Sequence, residues 1–114
     1  MSLIPGGVCS HERWSVTAYN GQVTGFASIY VYGNGQLDGL LDLSDNFGDA
    51  SALTGVISKT DIYIVRHLNG VWLGKKQIFT GSYYKDGTRA GGSIKGVRPG
   101  AWEAVIIERI GGRA

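Results

Sequence analysis

Hydrophobic and polar positions alternate along this chain in short runs that end at glycine-containing turns. Residues 26–32 (FASIYVY) are rich in aromatic and β-branched side chains, and residues 61–65 (DIYIV) have the same character. The pairs Asn20-Gly21 and Asn69-Gly70 are typical of tight hairpin turns. Runs of this length, separated by turn residues about every 8–12 positions, predict about eight or nine β-strands. We therefore predict an all-β protein.

Strands of this length and spacing are typical of a single small Greek-key β-sandwich, and this is the fold that we predict. Its predicted core consists of Phe26, Ile29, Val31, Leu40, Ile62, Ile64, Trp72, Phe79, Ile94, Trp102, Val105 and Ile107. Two alternatives stay open at this point. An OB-like barrel uses strands of the same kind. The recurrence of Ser-Ile or Asp-Ile at positions 28, 61 and 93 would also fit a three-fold β-prism or a trefoil-like arrangement.

The length of the chain, 114 residues, is that of one domain, and we predict a single all-β domain over residues 1–114. Residues 1–12 are predicted to form a flexible N-terminal arm. Hydrophobic residues make up 43% and charged residues 18%, which is enough apolar surface for a folded core. The 19 glycines are interpreted as turn residues, because tight turns need positive φ angles.

The sequence indicates a soluble protein. No apolar run approaches the ~20 residues that a membrane span needs. The first residues, MSLIP, lack the basic and apolar segments of a signal peptide. Cys9 is the only cysteine, so no disulfide forms within the chain, and the free thiol is compatible with the cytoplasm. The compartment is left open.

The charges are distributed unevenly along the chain. Up to residue 57 the formal charge is −4, and from residue 58 onward it is +6. A basic half is typical of proteins that bind nucleic acids or anionic surfaces. The plainer interpretation is that these side chains cover the solvent-facing side of strands.

The segment Tyr32-Gly33-Asn34-Gly35-Gln36-Leu37-Asp38-Gly39 resembles the signature hairpin of the βγ-crystallins. In that family an aromatic side chain lies over the hairpin and the final glycine has a positive φ angle, which the resemblance implies for Tyr32 and Gly39. Residues 70–72 (GVW) and 79–81 (FTG) follow in the order that the family shows, and the resemblance spans about residues 26–94. It implies a Greek-key fold and a non-enzymatic binding or structural role.

Calcium binding is a further property that the resemblance implies, since microbial members of the family often bind this ion. The corresponding stretches here, residues 57–61 and 88–93, lack the paired Asp or Asn of the family's calcium motif. Calcium binds six to eight oxygen atoms, some of them acidic. The best candidate is therefore the acidic loop that contains Asp42, Asp45, Asn46 and Asp49. The alternative is a solvated turn whose side chains bond their own backbone.

No catalytic pattern occurs in the sequence, and we predict that the protein is not an enzyme. A nucleophile elbow, a phosphate-binding loop and a dinucleotide fingerprint are all missing. Glu103 and Glu108 are five positions apart on one predicted strand and should point to opposite faces. Cys9, His11 and His67 are too few for a structural zinc site, which takes four ligands.

Two alternative binding functions follow from aromatic and basic residues. A carbohydrate-binding lectin would use an exposed Trp14 or Tyr84 beside Asp or Asn. A single-stranded nucleic-acid binder would gather basic residues around a tyrosine on one face. The candidate ligand surface thus consists of Trp14, Tyr84, Lys75, Lys76, Lys85 and Arg89. Protein, glycan and nucleic acid stay open as partners, and so does self-association.

Overall fold

The structure is a computed structural model that describes residues 8–45 and 50–111. Within them, eight antiparallel strands close into one barrel. The strands are β1 (Val8–Ala18), β2 (Val23–Tyr32), β3 (Gln36–Leu43), β4 (Ser51–Ser58), β5 (Asp61–His67), β6 (Lys76–Tyr83), β7 (Arg89–Gly96) and β8 (Gly100–Gly111). A short 3₁₀ turn, Gly70–Trp72, lies between β5 and β6.

Each strand pairs with its neighbours in sequence, and β8 returns to pair with β1, from Ser10 opposite Gly111 to Ala18 opposite Trp102. The all-β prediction is confirmed, but the Greek-key sandwich is wrong, because a single closed sheet replaces two facing sheets. The three-fold prism and trefoil are not observed either, whereas the barrel alternative fits the closure. Alternating side chains occur in sandwiches and barrels alike, so the pattern did not reveal the pairing of the first and last strands.

Glycines inside the strands explain how the sheet bends enough to close into a barrel. Five of them lie in strands where a neighbouring backbone passes close by: Gly25, Gly39, Gly55, Gly81 and Gly92. A Cβ atom at Gly39 would collide with the carbonyl oxygen of Ser28, and one at Gly92 would collide with that of Thr80. Glycine at such positions permits the sharp bending that barrel closure requires. Interpreting the glycines only as turn residues was therefore incomplete.

Alternate residues of each strand point into the barrel and form its core. Seven of the predicted core residues are buried there: Ile29, Val31, Ile62, Ile64, Phe79, Ile94 and Trp102. The prediction is wrong for four others, which face outward: Phe26, Leu40, Val105 and Ile107. Trp72 lies in the 3₁₀ turn and is half-buried. Because several strands carry apolar residues on both faces, the alternation alone did not show which face is inside.

The two ends of the barrel are distinct. We call the end where β1, β3, β5 and β7 finish the upper end, and the opposite end the lower end. The upper end includes residues 68–75, between β5 and β6, and the lower end includes residues 84–88, between β6 and β7. Strand β1 begins at Val8 near the lower end, so residues 8–12 of the predicted arm belong to the barrel. No helix among the described residues is long and apolar enough to cross a membrane.

Candidate binding grooves on the barrel wall

The interior of the barrel is filled by side chains. Trp14 and Trp102 stack with ring centroids 6.2 Å apart, and Phe79 meets Trp102 edge-on at 6.0 Å. The central cavity between them has a volume of only about 20 Å³ and an apolar lining. That is room for about one water molecule, far below the ~300 Å³ or more of a small-molecule pocket. A ligand of the barrel must therefore bind elsewhere.

The lower end of the interior contains a buried carboxylate. Glu12 accepts hydrogen bonds from Trp14 Nε1 at 2.9 Å, from the Tyr83 hydroxyl at 3.2 Å and from Arg109 Nε at 3.1 Å. The side chain of Glu12 is fully buried. A buried charge is stable only when it is paired and hydrogen-bonded, and these contacts meet that requirement. We call this group the Glu12 cluster and assign it a structural role.

The upper end contains the opposite arrangement, a buried guanidinium. Arg66 donates to both carboxylate oxygens of Asp45, at 2.6 and 3.2 Å, and to Ser51 Oγ at 3.1 Å. It also donates to Gln77 Oε1 at 2.9 Å, and the Gln77 amide donates to the carbonyl of Val97 at 2.8 Å. We call this group the Arg66 cluster. It ties the loop after β3 to the starts of β4 and β6.

The predicted calcium ligands are not brought together by the described residues. Asp42 lies on β3 and is exposed, whereas the Asp45 carboxylate is bound by Arg66. Asn46 and Asp49 lie outside the described residues. In the part of the chain that the structure describes, no group of three or more His, Cys, Asp or Glu side chains could hold a metal ion. Calcium binding by this loop stays a prediction without support from the geometry.

The hairpin that resembles the βγ-crystallin motif differs from what the resemblance implies. The positive φ angle, +88°, is at Gly35 and not at Gly39. The Tyr32 hydroxyl donates to the Asp38 carboxylate at 2.6 Å, and this hydrogen bond raises the pKa of the Tyr32 phenol above its ordinary value. The hairpin is thus held by a side-chain hydrogen bond across its turn.

The residues predicted to form a ligand surface are brought together only in part. Trp14 is in the core, so it contributes nothing to an outer surface. Lys75 and Lys76 lie at the upper end, whereas Lys85 and Arg89 lie at the lower end. Tyr84, directly after β6, lies at the same end as Lys85 and Arg89, and the Arg89 guanidinium is 5.8 Å from the centroid of its ring. Tyr84 is 42% exposed and lines a groove.

This first groove runs over the outer faces of β7, β8 and β1 and has a volume of about 330 Å³. Its polar side chains are those of Thr17, Asn20, Tyr84 and Glu103. Register places Glu103 opposite Thr17 on one side and opposite Gly91 on the other. A Cβ at Gly91 would lie 2.6 Å from the Tyr84 hydroxyl, so the glycine lets the tyrosine lie against the strand.

A second groove of about 340 Å³ lies on the other side of β1, over β2 and β3. It is lined by Phe26, which is 51% exposed, together with Asp42 and the hydroxyls of Ser15, Thr24 and Ser44. Each groove therefore combines one exposed aromatic ring, one carboxylate and at least two hydroxyl groups. Thr17 of β1 is opposite Glu103 on one side and opposite Thr24 on the other, so the grooves are neighbours.

Sequence reasoning identified Tyr84 but missed most of the groove residues. Phe26 was assigned to the core, and Glu103 was considered only as one of a catalytic pair. Asn20 was interpreted as a turn residue, which it is, without the inference that its side chain borders a site. No sequence signal connects these residues, because barrel closure alone brings the β8 residue Glu103 beside Thr17 of β1.

Comparison of this chain with family models, with curated proteins and with solved structures finds no match.

Proposed function

We propose that this protein is a non-enzymatic carbohydrate-binding protein that holds its ligand on the outer wall of the barrel. The observation that carries the proposal is the first groove. It has a volume of about 330 Å³ and is lined by the exposed ring of Tyr84 together with Glu103, Asn20 and Thr17. The packed interior supports an external site, because its cavity of about 20 Å³ is too small for a sugar.

The side chains of the groove match the chemistry of a sugar. A sugar ring has an apolar C–H face and a rim of hydroxyls that donate and accept hydrogen bonds. Tyr84 supplies an apolar ring with a polar tip. The Glu103 carboxylate accepts hydrogen bonds, whereas the Asn20 amide and the Thr17 hydroxyl can both donate and accept them.

The charges of the grooves favour a neutral ligand over a polyanion. Glu103 lines the first groove and Asp42 lines the second, and a carboxylate repels a phosphate group. The basic residues that would contact a nucleic acid are divided between the two ends of the barrel, and Arg89 lies 3.8 Å from the Asp86 carboxylate. Arg89 also lies over the Tyr84 ring, 5.8 Å from its centroid, and Arg13 lies over the Phe26 ring at 5.2 Å, but neither arginine belongs to the lining of its groove.

The pair of grooves favours an oligosaccharide over a single sugar. Together they extend across β7, β8, β1, β2 and β3. Adjacent strands are about 4.8 Å apart, so five strands span about 19 Å. Each groove has a single carboxylate in its lining, whereas glycoside hydrolysis generally uses two carboxyl groups, about 5–10 Å apart. This supports binding without hydrolysis.

The test begins with a glycan array, followed by titration calorimetry of the best ligand with the wild type and Tyr84→Ala. We expect the substitution to weaken binding by about tenfold or more, because stacking on the ring is lost. Tyr63→Ala is the matched control, since Tyr63 is similarly exposed on β5 and lines neither groove. Thermal unfolding verifies that both variants fold.

Salt dependence distinguishes this proposal from nucleic-acid binding. Sugar binding should change little between low and physiological salt, whereas phosphate binding falls steeply because counterions are released. Binding of a single-stranded oligonucleotide with a steep salt dependence, and of no glycan, would overturn the proposal. Equal loss in Tyr84→Ala and Tyr63→Ala would also overturn the assignment of the groove.

A further inference from the structure

The most exposed apolar side chains of the described structure lie together at the upper end. Val71 is 97% exposed and Leu73 is 79% exposed, and half-buried Trp72 lies between them. We call residues 71–73 the apolar tip. Other outward-facing apolar residues, such as Leu40 on β3, lie along the wall and are only about half exposed. The tip is different because it lies in the loop between β5 and β6.

The exposure of the tip is built into the backbone of residues 68–75. Leu68 N–H donates to the Lys75 carbonyl at 3.0 Å, and Lys75 N–H donates to the Trp72 carbonyl at 2.9 Å. The Asn69 side-chain amide donates to the Ala50 carbonyl at 2.8 Å, which anchors the loop to its neighbour. Gly70 and Gly74, on either side of the tip, have φ angles of +61° and +88°. These bonds and turns present Val71 and Leu73 to solvent.

Basic residues lie at the same end of the barrel as the tip. Lys75 and Lys76 follow the tip after Gly74, and both are exposed. The backbone of Lys76 accepts a hydrogen bond from Val97 N–H at 3.3 Å, which brings Arg98 to the same end. Lys95 lies opposite Ile78, two positions along β6 from Lys76. An apolar tip with basic residues behind it is the combination that binds an anionic bilayer, where side chains enter the interface and lysines meet the headgroups.

We propose that the upper end of the barrel docks on an anionic lipid surface, with Val71, Trp72 and Leu73 inserted and Lys75 and Lys76 against the headgroups. The small size of the tip favours a bilayer over a folded protein partner. A stable protein interface buries about 800 Å² on each side, which three residues do not supply. A bilayer needs no complementary cavity and adds electrostatic attraction to a small insertion. This proposal is independent of the carbohydrate proposal, which concerns the wall.

Vesicle flotation of the full chain tests the insertion. Phosphatidylcholine vesicles with and without phosphatidylserine are compared, using the wild type and the variant Val71→Ser/Leu73→Ser. We expect binding only to the vesicles that contain phosphatidylserine, and a loss of about tenfold or more in the variant. One such side chain transferred from water is worth about a factor of ten in an equilibrium constant. The matched control, Leu40→Ser/Val56→Ser, removes two exposed apolar side chains from the wall and should bind as the wild type does.

Charge variants test the proposed contact of Lys75 and Lys76 with the anionic headgroups. Lys75→Glu/Lys76→Glu should weaken binding by at least about fivefold for each lysine, since one basic residue near an anionic surface contributes about that factor. Lys59→Glu/Lys85→Glu makes the same change to two exposed lysines at the lower end and should have little effect. Trp72 provides a spectroscopic readout, because its fluorescence should shift to shorter wavelength on vesicle addition and Trp72→Phe should abolish the shift.

Several outcomes would overturn the proposal. Equal binding of the wild type to vesicles with and without phosphatidylserine is one, and binding of the tip variant equal to that of the wild type is another. A loss of oligonucleotide binding in the Lys75/Lys76 variant, without vesicle binding by the wild type, would assign the basic residues to nucleic acid instead. Concentration-dependent self-association that the tip variant abolishes, again without vesicle binding, would assign the tip to a second copy of the chain.

Discussion

The two ends of the barrel interior bury opposite charges in different ways. At the upper end, Arg66 and Asp45 form an ion pair in which the side chains are 0% and 1% exposed. At the lower end, Glu12 is 0% exposed, but its partner Arg109 is 36% exposed. The upper pair is therefore sealed on both sides, whereas the lower pair has one member in contact with water. Removing one member of the ion pair should therefore lower the free energy of unfolding by different amounts at the two ends.

The comparison extends to a third ion pair on the outside of the lower end. Arg89 and Asp86 are 3.8 Å apart, with side chains that are 59% and 50% exposed. The three pairs thus form a series from sealed to half-sealed to open. Breaking a buried pair leaves an uncompensated charge in a medium of low dielectric constant, whereas an exposed charge is simply hydrated. We therefore expect burial of both members, more than the number of ion pairs, to decide how much stability each pair controls.

The largest effect is expected for Arg66→Met. Removing the guanidinium deprives the Asp45 carboxylate, Ser51 and Gln77 of a shared donor inside the barrel. We expect a loss of about 3–5 kcal/mol in the free energy of unfolding, measured by urea denaturation. The double variant Arg66→Met/Asp45→Asn should recover part of this loss, since it no longer leaves a buried charge.

Arg89→Met is the matched control for Arg66→Met, because it removes the same group from the open pair. Its effect should be within about 0.5 kcal/mol. Equal losses in the two variants would contradict the argument that burial of both members decides the effect.

An intermediate effect is expected for Glu12→Gln at the lower end. The amide oxygen can still accept from Trp14 Nε1 and from the Tyr83 hydroxyl, so the shape of the cluster is preserved. The substitution removes the negative charge that pairs with the Arg109 guanidinium. Because Arg109 is partly exposed, water can hydrate its charge instead. We expect a loss of about 1–3 kcal/mol, measured in the same denaturation experiment. A loss larger than that of Arg66→Met would reverse the order of the two ends and contradict the comparison.

The strands could be predicted from the sequence, but the two charged clusters could not. The patterns at residues 26–32 and 61–65 identify β2 and β5, because alternation and β-branched side chains are local properties. Arg66 looks like an ordinary surface residue at the end of such a strand. Its burial depends on Asp45, Ser51 and Gln77, which belong to three other segments.

The candidate site was predictable only in part, for the same physical reason. Tyr84 stood out as an aromatic residue next to another aromatic, of which only one could face the core, and Tyr83 is the buried one. Glu103 and Thr17 come from the last and first strands, and only the closure of the barrel makes them neighbours. Phe26 was assigned to the core because it is apolar, although Ala27 beside it is the residue that points inward.

The smallest change in the free energy of unfolding is expected for Asp86→Asn in the open pair. The direction in which this change depends on pH can be derived from the pKa of Asp86. The backbone N–H of Thr88 donates to the Asp86 carboxylate at 2.9 Å, and this hydrogen bond lowers the pKa of Asp86 below its ordinary value. A carboxyl group whose pKa is lower in the folded than in the unfolded state stabilises the fold at pH values above its pKa in the unfolded state, which is about 3.9. That stabilisation is lost as the pH falls through the folded value.

The stability difference between the wild type and Asp86→Asn should therefore be small at neutral pH and should vanish in acid. Urea denaturation of both proteins at neutral pH and at a pH below the ordinary value of Asp measures it. A difference that grows on acidification would show that Asp86 is bound more tightly in its protonated form, against the hydrogen bond from Thr88. A difference at neutral pH as large as that of Glu12→Gln would show instead that exposure does not order the three ion pairs, because the most open pair would then control as much stability as the half-sealed one.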